Sequence, residues 1–146
     1  MTRWNSLPKK IQDKYKTKKP VKENGRDELI IPGELPTENE IIDKAKIHWA
    51  VYSRMKKTYT SLVAYYAEKQ HIPFFEAVEL EITYYRKDRR YDPDNFSAGG
   101  RKMLLDGLIQ AGVLKNDGWK EIKGFKESWE VDKKDPRTKV ILSEAE

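Results

Sequence analysis

Residues 76–85, EAVELEITYY, alternate apolar and polar side chains with a period of two, the pattern of a strand that buries one face. Such a strand needs a second layer over its apolar side, and helical patterns flank it in the chain. Upstream, Ile47, Val51, Met55, Leu62 and Tyr66 recur at helical spacing, which predicts one long helix from about Lys44 to Gln70 with its apolar stripe in the core. Thr37 and Glu40 match a capping box at the start of that helical region, after a short strand in DELIIPGELP that Gly33 and Pro36 end. Pro73 closes the helix.

A second helix is expected from about Phe96 to Ala111, with Asn95 as N-cap and Gly112 just past its end, and with Gly99 and Gly100 weakening its first turns. WKEIKGFKESWEV and TKVILSE then read as strands on either side of the turn-like DKKDPR. The order β, α, β, α, β, β predicts an α/β (α+β) domain, a small mixed sheet packed against helices. No internal repeat interrupts it.

The chain has 146 residues, about one domain's worth. Lysines at 9, 10, 14, 16, 18, 19 and 22 mark residues 1–26 as a basic arm, either a solvated tail or a contact to a nucleic-acid backbone, and leave 27–146 as the folded unit. The net charge of +5 is compatible with a polyanionic partner. Without cysteine there is no disulfide, no thiolate zinc site and no thiol nucleophile, so any metal is held mainly by oxygen, which favours Mg²⁺ or Mn²⁺. No apolar run approaches the roughly 18 residues of a membrane span, and the start lacks an apolar signal region; the expectation is a soluble, cytoplasmic protein.

The densest chemistry lies in RRYDPDNFSAGGRKMLLDGLIQAGVLKNDGW, residues 89–119. Pro93 favours an extended Asp92, and in an extended segment Asp92 and Asp94 share a side. A helix then leads away, and a reversal at Gly112 is expected to bring Asp117 back beside the pair. Carboxylates gathered in this way repel one another unless a cation sits between them. Asp-Pro-Asp-Asn is also good turn chemistry, which is the plainer reading of the pair alone. Phe96 and Ser97 stand where a calcium loop needs its oxygen ligand and glycine. Lys102 and Asp106, four apart, share a helix face and form a surface ion pair on the plainer reading. Arg101 is either solvated or turned to phosphate. His48 and His71 lack ligand spacing and read as structural or surface residues; Trp49, Trp119 and Trp129 are expected to pack.

The run DPDNFSAGGRKMLLDGLIQAGVLKNDGW resembles the RusA-type Holliday junction resolvases of phages and prophages, through its Asp-x-Asp-Asn, the Lys four residues before Asp106, the AGV and the Asp before an aromatic strand. The likeness extends over roughly residues 28–142. It implies a homodimeric, Mg²⁺-dependent crossover junction endodeoxyribonuclease (Mn²⁺ as substitute) that nicks paired strands of a four-way DNA junction. In that pattern Asp92, Asp94 and Asp117 fall on the catalytic, metal-binding acids and Lys102 on the catalytic lysine, with Asn95, Asp106 and Asn116 in support. Arg86, Lys87, Arg89, Arg90 and Arg101 are expected to contact DNA. Two departures stand out: about four extra residues, roughly one helical turn, between the Asp-x-Asp-Asn and Lys102, and Asn116 where many members carry an aspartate. A non-catalytic binder of branched DNA is the alternative.

Overall fold

A computed structural model describes Lys9 and residues 21–146. The rest of the expected basic arm lies outside the described residues. Its last residues belong to the folded unit: Val21 is buried in the core and Arg26 opens the first strand. In chain order the elements are β1 (Arg26–Pro32), α1 (Glu38–Ile47), α2 (Trp49–Lys69), β2 (Val78–Arg86), α3 (Pro93–Gln110), β3 (Ile122–Val131) and β4 (Arg137–Glu144). The four strands form one mixed sheet in the order β1-β4-β2-β3, with β4 antiparallel to both β1 and β2, and β3 parallel to β2. This is the small α+β architecture expected from the order of patterns.

The alternation in residues 76–85 places β2 as read. Val78, Leu80, Ile82 and Tyr84 are buried, while Glu79 is exposed and Glu81, Thr83 and Tyr85 are half-buried on the other face. Leu29, Ile31, Val140 and Leu142 from β1 and β4 join the same core, which Val63, Ala64 and Ala67 of α2 and Leu104 and Leu108 of α3 close.

The single long helix is two. His48 adopts an extended conformation (φ −170°, ψ 142°), and its Nδ1 accepts the Ala50 N–H at 3.0 Å, so it caps α2 just where α1 ends. A histidine without ligand spacing thus has the structural role its surroundings suggested. Thr37 caps α1 as expected, its hydroxyl oxygen accepting the Glu40 N–H at 3.1 Å. The break rotates the stripe: Ile47 is 65% exposed, the fully buried residues of α2 are Thr60, Val63, Ala64 and Ala67, and of the expected stripe Leu62 and Tyr66 pack half-buried against the core.

Helix α3 begins at Pro93, three residues before the sequence reading, with Asp92 instead of Asn95 at the N-cap. Its glycines are there for packing. A Cβ on Gly99 would stand 2.2 Å from the Pro36 carbonyl oxygen, and one on Gly107 would stand 2.4 Å from the Val63 side chain. The helix lies against the Pro36–Thr37 loop and against α2 at distances that only glycine allows. Past its end, Gly112 takes the left-handed conformation (φ 74°) expected there.

Candidate functional site

Strand β2 delivers the chain to the exposed run Lys87, Asp88, Arg89 and Arg90, and Asp92 and Asp94 follow at the start of α3, both exposed. The partial positive charge of a helix N-terminus favours carboxylates there. Asp92 nevertheless makes no side-chain capping bond: its backbone carbonyl accepts from the Asn95 N–H at 3.0 Å and the Phe96 N–H at 3.3 Å.

Asn95 faces away from this pair's chemistry. Its Oδ1 accepts the Asn39 N–H at 3.0 Å and ties the start of α1 to the start of α3. Arg86, expected on an open basic face, is 8% exposed. Its Nε pairs with Glu34 at 3.2 Å, Nη1 donates to the Leu35 carbonyl at 3.2 Å, and the guanidinium lies over the rings of Phe96 and Tyr91. That cation holds the loop before α1 against the sheet, and the open basic run is Lys87, Arg89 and Arg90.

Arg101 forms a short ion pair with Glu127 of β3 and stacks over Phe125. Glu127 also accepts from the Tyr84 hydroxyl at 2.7 Å. Burial first, and then the bond to Glu127, pushes the Tyr84 phenol well above its usual range, so it remains a neutral donor. This cluster locks α3 onto β2 and β3. Sequence reading missed it, although Glu127 lies in strand alternation between Phe125 and Trp129.

Lys102 lies eight residues beyond Asp94 in α3, about 12 Å along the axis. Its Nζ pairs with Asp106 at 3.4 Å, and Lys56 of α2 reaches the same carboxylate at 3.7 Å. The surface ion pair is what the structure contains.

Asp117 does not return to Asp92 within the chain. Helix α3 has 18 residues and is about 27 Å long, and the turn after it feeds β3, whose first residue is level with Val78 at the opposite end of β2 from Arg86. The expected reversal at Gly112 occurs, but it serves the parallel β2–β3 pairing. Asn116 and Asp117 are exposed there, with Asn116 Oδ1 accepting the Asp117 N–H at 2.9 Å. Among the described residues, no three acidic or histidine side chains are gathered so as to hold a metal ion.

The expected packing of the tryptophans also needs correcting. Trp49 is 75%, Trp119 96% and Trp129 51% exposed, and Trp119 lies in a turn rather than in β3. Trp129 does touch Phe96 edge-to-face, with ring centroids 6.4 Å apart. A groove of about 460 Å³ opens beside them, with Tyr91, Asp92, Phe96, Trp129 and Val131 among its lining residues. Among the described residues no helix is long and apolar enough to cross a membrane. No protein-family model matches the chain, and no curated protein is significantly similar to it.

Proposed function

We propose that this protein is a Mg²⁺-dependent, structure-specific endodeoxyribonuclease that nicks branched DNA, in the first place four-way junctions, acting as a cytoplasmic homodimer. The observation that carries this reading is the pair of exposed carboxylates, Asp92 and Asp94, immediately after the exposed cations Lys87, Arg89 and Arg90. Acids grouped beside a basic run suit a site where a divalent cation meets a phosphodiester. The likeness of residues 92–119 to RusA-type resolvases supplies the reaction.

The donor set fits a hard cation. Both carboxylates offer oxygen, Asp92 is not engaged in capping, and the chain has no thiolate to attract a softer metal. Asp92 and Asp94 would hold the Mg²⁺, which would supply Lewis acidity toward the phosphate and lower the pKa of the attacking water. Asp92 and Asp94 hold and orient that chemistry on the rigid start of α3. Lys87, Arg89 and Arg90 grip the DNA backbone and neutralise charge around the scissile phosphate. Paired nicking takes two sites, which a two-fold dimer provides.

The test is an incubation of the protein with Mg²⁺ and labelled four-way, three-way, flap and linear DNA. Symmetric nicks in the four-way substrate are expected, with Asp92→Asn abolishing them while junction binding persists or tightens. Tight junction binding by the wild type without any nicking would favour the non-catalytic binder, and wild-type cleavage by Asp92→Asn would end the assignment.

A further inference from the structure

On the helix-covered face of the sheet, β3 sets Phe125, Glu127, Trp129 and Val131 in one row, level with Leu80, Ile82, Tyr84 and Arg86 of β2. Arg101 covers the first half of that row, stacking over Phe125 and pairing with Glu127. Among the described residues, no cation covers the second half in this way. Trp129 meets Phe96 edge-to-face yet is 51% exposed, and Val131 beyond it is 49% exposed. The groove of about 460 Å³ lies at this end, with Tyr91 and Phe96 also in its lining and Asp92 beside them. Its volume falls in the range of about 300–1,000 Å³ that small-molecule sites occupy.

The aromatic lining is held from behind. Phe96 is 5% exposed, with its ring centroid 5.5 Å from that of Tyr84, and the Arg86 guanidinium stands 5.1 Å from it. The same guanidinium lies 5.9 Å from the Tyr91 ring centroid and is itself fixed by Glu34 and the Leu35 carbonyl. Rings fixed in this way offer a stacking surface without being ordered on binding. Charge decides what that surface suits. With Arg86 already paired, the carboxylates Asp88, Asp92 and Glu130 outnumber Arg89 in the lining, so the groove does not attract a phosphate. A flat, neutral, aromatic group fits it.

We propose that this groove takes one nucleobase, turned out of the stack, from the DNA strand whose phosphate meets Asp92 and Asp94, with Trp129 as its stacking platform. This rests on the nuclease reading for the strand, and adds to it a means of telling branched from continuous DNA. Asp92 belongs both to the acid pair and to the groove. A base is joined to its phosphate through a single sugar, so a nucleotide whose phosphate sits at the acids carries its base to the groove. Turning a base out of a continuous duplex is costly, and least so where the base is already unpaired or poorly stacked. A stack on one aromatic side chain is of the same order as that cost. The balance therefore favours a base at a branch point, where stacking is interrupted, over one inside a paired duplex.

The first measurement needs no catalysis. In Ca²⁺, 5-iodouracil placed in turn at each nucleotide around the branch of a four-way DNA should photocross-link to Trp129 or Tyr91 of the full-length protein from one or two positions, read by peptide mass spectrometry. In Mg²⁺, an abasic residue at that position should slow single-turnover nicking by about tenfold or more, the effect of losing one base stack. Trp129→Leu should slow nicking of the intact junction by a similar factor. The two losses should not add, because each removes the same contact. Trp129→Phe, which keeps an aromatic face, should recover most of the rate. Additive losses would reduce Trp129 to a packing neighbour of Phe96 and overturn the proposal. The abasic series uses the wild-type chain, so it decides the matter even where Trp129→Leu folds poorly. Nicking that no abasic residue slows, with no cross-link to the groove, removes the base site and leaves the nuclease reading. Cross-links to Trp129 without any nicking by the wild type remove the nuclease reading and leave the groove as a base-binding site.

Discussion

Lys102 illustrates how a residue in the right place in a motif can acquire a different neighbour in the fold. The resemblance gives it a catalytic role, but its ammonium pairs with Asp106, which Lys56 also reaches. Asp106 is 17% exposed at its side chain, so it keeps one lysine when the other is removed. Lys102→Ala should therefore cost less than about 1 kcal/mol in urea unfolding. It should leave single-turnover nicking within about threefold of wild type. A hundredfold fall at saturating DNA would return the lysine to the catalytic centre. The extended segment expected through Asp94 is instead the first turn of α3, so of the pair's geometry only the extended Asp92 before Pro93 was legible. The pair's relation to Asp117 was not, since it depends on which end of β2 the following strand begins.

At the scale of elements, the period-two pattern placed β2 because burial alternates strictly along it. The helical stripe succeeded less well. A spacing of four and seven continues through His48 on paper, and nothing in that pattern shows that one residue turns extended and resets the face. The glycines of α3 were read as weak points of a helix, yet the sequence holds no record of what they approach. Gly107→Ala should destabilise the fold by about 1–3 kcal/mol, because Val63 must move to admit the new methyl. Gly99→Ala should cost more than Gly107→Ala, since its methyl meets the Pro36 carbonyl, a backbone atom that cannot rotate aside. Paired urea melts measure both, and equal stability of either variant with wild type would show that α3 rides higher on its neighbours. The second glycine of the pair serves the same closeness: a Cβ on Gly100 would stand 2.8 Å from the Tyr84 ring.

For the whole molecule, the arrangement of charge makes a measurable statement about stoichiometry. The net charge of +5 is spread over a chain that is more than one-third charged, so composition alone points to no face. The fold withdraws Arg86 and Arg101 into ion pairs and leaves Lys87, Arg89 and Arg90 exposed beside Asp92. The two chains of the proposed homodimer would present six such cations to a junction, giving a slope of log affinity against log salt of about −5. The informative quantity is how that slope changes. Replacing one exposed cation, as in Arg89→Ala, removes two phosphate contacts from a dimer and only one from a monomer. The slope should therefore fall by about 2 rather than about 1, while Arg101→Ala leaves it unchanged. Titrations of labelled four-way DNA in Ca²⁺, which suppresses cleavage, separate these cases without reference to catalysis. A fall of one per substitution would mean that each chain engages DNA alone, and would remove the dimer from the proposed reading.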